Sequence, residues 1–400
     1  KSITGVGSGV ITKPGLQPVN FQEFELVQPV DPFKFDDLID FTVIPGGEDG
    51  NPNSVRLTLD TTDPPYFEVY VDTNTDDANP EVLFLRQPFA LIDEITVNGG
   101  TDEDLLIVDN VNGLINREIT FDANGPADSG EPDGDALSVR NTPAGGLGPN
   151  ARETYEVGAT EDAGRWVIDP NDSMGPGLGG TVDGDEMIIT FTGLEPADTN
   201  VVVPIFDVIM NASNNSATIE DGGLLGPDQS IRVVDNNSTF ETFRFANKAT
   251  TRIMGQDGAD IFHLDYTTAA AGLTTLEVYG HLAPLVPAAG TDDDDEIFLI
   301  ERTAAGVQNN LRGDGGNDDF QNIGHGLLGT THNLDGVNGD VDIDGGTGTD
   351  RLALSDANSA GPANVANVTS TQLTGAAPAT VTYANLTSFY YEGTSFDDAT

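Results

Sequence analysis

The stretch TRIMGQDGADIFHL, residues 251–264, decides the fold. A short strand-like run ends in the turn GQDGAD. Its last residue, Asp260, is followed at two-residue intervals by Phe262 and Leu264. A period of two puts Phe262 and Leu264 on one face of a strand. The glycines and Asp257 suit a tight turn, because Gly adopts left-handed backbone freely and Asp bonds nearby main-chain amides. The unit is therefore strand, Gly/Asp turn, then Asp-x-Φ-x-Φ, with Φ an apolar residue.

The unit recurs along the chain. ITVNGGTDEDLLIV (95–108) sets Asp104 ahead of Leu106 and Val108, and VDIDGGTGTDRLAL (341–354) sets Asp350 ahead of Leu352 and Leu354. Looser copies are EPDGDALSV with Asp135, TVDGDEMII with Asp185, GTDDDDEIFL with Asp295 ahead of Ile297 and Leu299, and LRGDGGNDDF with Asp318 ahead of Phe320. YEGTSFDDAT carries Asp398. Alternating runs bounded by turn residues appear elsewhere: 67–71, 82–85, 118–121, 188–191, 231–234, 276–279 and 297–300. With 47 Gly and 23 Pro in 400 residues, long helices do not survive. Repeated units that each expose an apolar face bury it by stacking. The expectation is an all-β parallel β-solenoid, or β-helix, with irregular loop insertions, because the repeat positions are unevenly spaced. The alternative is a string of tandem β-sandwich domains with calcium in their loops. Residues 1–90 carry only weak copies and read as an N-terminal β segment or cap. Residues 91–400 form the repeat region, with insertions near 140–180 and 355–380.

The charge is extreme. Sixty-six carboxylates against 16 Lys and Arg give a formal net charge of -50. This argues against nucleic acid and anionic membrane surfaces as partners, since both need basic contacts. No apolar run is long enough to span a bilayer. Cysteine is absent, so disulfides and thiolate metal sites are excluded. The chain begins at Lys1 rather than Met, which is expected of a processed chain or an excerpt. The acids are 46 Asp and only 20 Glu. A general need for solvation would use both, whereas Asp is the acid of turns and of cations held in loops.

The candidate metal ligands are accordingly the turn aspartates: Asp102 and Asp104; Asp133 and Asp135; Asp183 and Asp185; Asp257 and Asp260; Asp292, Asp293, Asp294 and Asp295; Asp314, Asp318 and Asp319; Asp342, Asp344 and Asp350; Asp397 and Asp398. Calcium is the expected ion, because it accepts six to eight oxygens at flexible angles. In a parallel stack equivalent aspartates lie about 4.8 Å apart. Two carboxylates at that distance repel by roughly 3–4 kcal/mol at an effective dielectric near 20, and a dication reverses the sign. Catalytic patterns are poor. The four histidines are His263, His281, His325 and His332, and no nucleophile elbow or P-loop is present. His263, between Phe262 and Leu264, is expected to face outward.

The turns GGTDED, GQDGAD, GDGGND and GGTGTD resemble the calcium-binding nonapeptide repeat of secreted bacterial RTX proteins. GGTGTD at 345–350 fits best, and no two complete nonapeptides run in tandem. The wider pattern, including ITFTGLEPADT (189–199), resembles repeats of very large bacterial surface and matrix proteins. The resemblance covers roughly 95–400. It implies a secreted, calcium-loaded β-protein of the cell surface or extracellular matrix rather than a catalyst.

The functional expectation is an extracellular, calcium-stabilised structural protein that associates with other copies of itself in a surface layer, fibre or matrix. The stretch Ser2 to Thr12, uncharged and β-branched, is a candidate donated strand for head-to-tail assembly. An adhesin or carbohydrate-binding module that takes polysaccharide is the alternative, and a polysaccharide-cleaving β-helix enzyme stands behind it.

Overall fold

The computed structural model describes residues 7–11, 19–24, 35–40, 53–72, 81–100, 103–123, 135–171, 184–281, 294–322, 333–359 and 366–393. Among them there is no α-helix, and two long sheets carry almost every strand. All seven alternating runs read from the sequence fall on strands.

The repeat unit explains how the sheets are laid down. Lys248–Met254 lies in one sheet, the turn at 255–260 changes layer, and Ile261–Asp265 lies in the other. The chain then returns to Thr275–Tyr279, which pairs in parallel with Lys248–Met254. Further coils follow through Ile297–Arg302, Gln308–Arg312, Asp319–Asn322, Val341–Asp344, Arg351–Ser355, Val381–Ala384 and Ser388–Glu392, each strand parallel to its predecessor in the same sheet. This is a two-layer parallel β-solenoid. Sheet 1 holds the strands that follow the acid turns, and sheet 2 holds those that precede them. Each contains fourteen described strands. Parallel pairing across the stack rules out tandem sandwiches, whose hairpins would pair antiparallel.

The first coils enter the same layers. Phe35–Asp40 pairs in parallel with Ile92–Asn98 in sheet 2, and Asn53–Leu59 with Asp104–Asp109 in sheet 1. Tyr66–Asp72 and Val82–Pro88 extend sheet 1 by an antiparallel meander to its edge. Gly7–Ile11, inside the stretch Ser2 to Thr12, pairs antiparallel with Val19–Phe24 of the same chain. The rest of that stretch lies outside the described residues.

Two further meanders interrupt the stack at its middle. In sheet 2, Arg152–Val157, Gly164–Asp169 and Met187–Thr192 run up and down between Val203–Ile209 and Glu118–Asp122. In sheet 1, Ser216–Leu225, Asp228–Asp235 and Phe243–Phe245 do the same between Ile261–Asp265 and Ala197–Thr199. The Gly- and Pro-rich segment 140–180, read as loop excursion, therefore contains two core strands. The sheet 1 meander also occupies much of the long interval between Asp185 and Asp260.

One hydrophobic cluster runs between the sheets from Ile39 to Tyr383. Phe262, Phe298 and Phe320 stack in consecutive coils, with ring centroids 5.6 and 4.6 Å apart. Where the two meanders face each other, Tyr155, Trp166, Phe191, Phe206, Phe243 and Phe245 form one aromatic block. Of the nine Φ residues, Leu106, Val108, Phe262, Leu264, Phe320, Leu352 and Leu354 are buried. Ile297 and Leu299 are not; Phe298 and Ile300 take the core positions. Register forces this, because Phe298 pairs with Phe262 below it and with Phe320 above it.

Candidate cation corner

The acid turns stack along one corner of the solenoid, where sheet 2 hands the chain to sheet 1. The residue entering each strand of sheet 1 forms a column. Asn215, Asp260, Glu296, Asp318 and Asp350 stand one above another in the C-terminal coils, as the register of the following strands requires. Asn53, Asp104, Asp135, Glu195 and Glu241 form the equivalent column in the N-terminal coils. Apart from Glu195 these side chains are buried, Asp260 at 0 % and Asp318 and Asp350 at 1 % exposure.

The reason a carboxylate suits this position is visible in the bonding. Asp260, Asp318, Asp350 and Asp135 each accept the main-chain N–H of the column residue one coil earlier. Asn215 N donates to Asp260 Oδ1 at 2.7 Å, Glu296 N to Asp318 Oδ1 at 3.0 Å, and Asp318 N to Asp350 Oδ1 at 3.1 Å. Asp104 N donates to Asp135 Oδ1 at 2.5 Å, and Asn53 Nδ2 to Asp104 Oδ1 at 3.1 Å. The short Asp side chain reaches a main-chain donor that the turn would otherwise bury without a ladder partner. Glycine supplies the room. A Cβ on Gly313 would overlap Oδ2 of Asp318, and one on Gly280 would stand 2.8 Å from Oε2 of Glu296.

The remaining turn carboxylates bond between neighbouring turns. Asp294 Oδ2 accepts Gly258 N at 2.8 Å, and Asp295 Oδ1 accepts Asn317 N at 2.7 Å. Asp314, in the left-handed region at φ 69°, accepts His281 N at 3.1 Å. Asp344 Oδ1 accepts Gly346 N at 3.1 Å and Asn385 Nδ2 at 2.6 Å. The turn backbones themselves pair, Gly315–Gly316 with Thr347–Gly348. Asp257 is exposed, 3.6 Å from the buried imidazole of His281. Asp319 and Asp342 leave the corner and meet Arg351 and Arg312 across the outer faces, at 2.5 and 2.8 Å. Asp185 bonds Asn171, and the strand after it joins sheet 2, so this copy is not equivalent to the others. Asp102, Asp133, Asp183, Asp292, Asp293, Asp397 and Asp398 lie outside the described residues.

The donor set fits calcium chemically, since the corner is dominated by carboxylate and carbonyl oxygens. Among the described residues the turn aspartates do not bring three carboxylate or imidazole side chains to a common point. The three groups that do converge are His263, Asp265 and Glu301, on the outer face of sheet 1.

Sequence reasoning missed the two asparagines of the column, Asn53 and Asn215, and three of its acids: Glu195, Glu241 and Glu296. Glu296 was hidden in the run 292–296, where register alone selects the inward acid. Glu241 is 6 % exposed. Burial, then the nearby charges of Glu195 and Glu161, push its carboxyl up to about 9. Glu161 is itself raised, by burial and by Asp235. Four acids thus crowd one stretch of the corner beside the central meanders. The missing signal was length: Glu occupies the Asp position of the repeat.

A buried ion pair lies between the sheets. Lys248 is fully buried and pairs with Glu153; its Nζ also donates to Val201 O at 2.6 Å. Glu153 accepts Trp166 Nε1 at 2.7 Å.

No protein-family model matches the chain, and neither a curated protein nor a solved structure is significantly similar to it.

Proposed function

We propose that this protein is an extracellular structural element, a rigid acidic rod whose corner is stabilised by calcium and which associates with other copies of itself in a surface layer, fibre or matrix. The observation that carries this reading is the single core running between two parallel sheets from Ile39 to Tyr383. Thirteen strand spacings of about 4.8 Å give such a stack a length of about 60 Å. Parallel coils held by ladder bonds, stacked rings and carboxylate–amide bonds resist extension along the whole length rather than framing one catalytic cleft.

Calcium is proposed because column acids one coil apart repel, and Glu241 with its neighbours shows the largest conflict. A dication bridging carboxylate and carbonyl oxygens of adjacent turns would relieve it. Self-association is supported by the edge strand Val82–Pro88, where Val82, Leu83 and Phe84 are exposed in a row. An uncovered apolar edge strand is a template for strand addition. Gly7–Ile11 already has a partner in its own chain, so a strand donated from Ser2 to Thr12 would first leave that pairing.

The test is thermal melting and negative-stain microscopy of the whole chain, in calcium and in chelator at equal ionic strength. Calcium is expected to raise the melting temperature by several degrees, with rods that associate end to end or side by side. An unchanged melt would overturn the calcium reading, and persistent monomers at high concentration in calcium would overturn the assembly reading.

A further inference from the structure

We propose that His263, Asp265 and Glu301 form a binding site for a divalent first-row transition ion, with Zn2+ as its probe, on the outer face of sheet 1. This inference does not rest on the calcium reading, because the site lies away from the turns and contains an imidazole.

The strand period builds the site. Phe262 and Leu264 point inward, so His263 and Asp265 share the outer face of Ile261–Asp265. Glu301 shares that outer face by the same period of two, since Phe298 and Ile300 point inward. Leu264 pairs with Ile300, but Asp265 pairs with Arg302, so Glu301 is the extra residue of a β-bulge. The bulge keeps Arg302 on that face as well, where regular pleating would turn it inward. Glu301 Oε2 lies 3.1 Å from His263 Nε2. One ligand atom from each of the three residues lies within 4.8 Å of the others. Metal–ligand bonds of about 2.0–2.2 Å place neighbouring ligands roughly 3–3.5 Å apart. The His–Glu pair already has that separation, and Asp265 needs only a small side-chain adjustment.

Arg302 completes the design. It grips Asp265 through Nε and Nη2, the latter at 2.8 Å from Oδ2. It thereby fixes the carboxylate in the manner of an outer-shell partner. With neutral imidazole, two carboxylates and one guanidinium sum to a single negative charge, which a dication outweighs only modestly. All three side chains are partly solvent-accessible, so water completes the coordination and the ion exchanges freely. The converging imidazole separates this site from the carboxylate-dominated corner: imidazole suits Zn2+, Cu2+ and Ni2+, whereas calcium takes oxygen.

The experiment uses the full chain at pH 7.5 with excess calcium present. Zn2+ is titrated by calorimetry, and the histidine ring nitrogens are followed by NMR. Parallel titrations use His263→Gln and Glu301→Gln, whose melting temperatures in chelator serve as folding controls. The expected result is that the His263 nitrogens shift with Zn2+ and not with added calcium, and that either substitution weakens one Zn2+ site by about tenfold or more. The proposal is overturned if His263 does not respond to saturating Zn2+, if calcium shifts it equally, or if both folded variants bind Zn2+ as the parent does.

Discussion

The main-chain N–H of Glu296 donates to Oδ1 of Asp318, 3.0 Å away and one coil further along the stack. A side chain thereby supplies, at the corner, the hydrogen bond that a neighbouring strand supplies on the faces. Replacing Asp318 by Ala would leave that buried donor unmet. We expect a loss of about 1–3 kcal/mol. Asp318→Asn, which keeps an acceptor oxygen of the same reach, should lose less. Urea midpoints of the two variants decide the matter; equal losses would show that charge, not the bond, is what the corner uses.

Register predicts opposite fates for adjacent residues. Phe298 is buried between Phe262 and Phe320, while Leu299 faces outward. Phe298→Ala should cost about 3–5 kcal/mol, and Leu299→Ala about 1 kcal/mol or less. The reverse order in denaturant unfolding would mean that Ile297–Arg302 is shifted by one residue.

Lys248 and Glu153 should be strongly coupled. Removing the cation alone, as in Lys248→Met, strands a buried carboxylate and should cost about 3–5 kcal/mol. Lys248→Met combined with Glu153→Leu should recover much of that loss, because an apolar pair fits among Trp166 and Phe206. A double-mutant cycle with no coupling energy would contradict the pairing.

Glu241 predicts a pH dependence. Its folded-state carboxyl is raised from 4.5 to about 9, by burial first and then by Glu195 and Glu161. The folded protein therefore holds a proton that the unfolded chain releases. This group's favourable contribution is complete below about pH 4.5 and is lost as pH rises toward 9, by up to about 1.4 kcal/mol per unit. Glu241→Gln, which cannot ionise, should gain on the parent across that window in chelator. Parallel stability–pH curves for the two proteins would refute it.

The sequence made the fold legible because the Asp-x-Φ-x-Φ unit encodes two things at once. Asp260 marks the corner, and Phe262 and Leu264 mark the inward face. It failed where local pattern carries no register. In the run 292–296 any of five acids fits the turn, and only pairing with Asp260 and Asp318 selects Glu296. It failed again at 152–169, where Gly and Pro in the flanking loops masked two strands whose Tyr155 and Trp166 stack at 5.1 Å. The outer-face cluster was half visible: His263 was expected to point outward, but the cross-strand pairing that sets Glu301 beside it exists only in the folded sheet.

The central meander of sheet 1 bears on the order in which the molecule assembles. Ser216–Leu225 and Asp228–Asp235 are joined by Gly226 and Pro227 alone, with Gly226 at φ 63°. A hairpin this tight closes within about 1–10 μs, whereas each parallel coil must first close a long loop. We expect folding to nucleate at this hairpin and its aromatic neighbours, then to zip toward both termini. Amide exchange should be slowest near Ile219 and Val233 and faster in the outer coils; a uniform profile would oppose this order. A solenoid nucleated at its centre grows from two fronts, so a defect in one terminal coil leaves the opposite arm free to form.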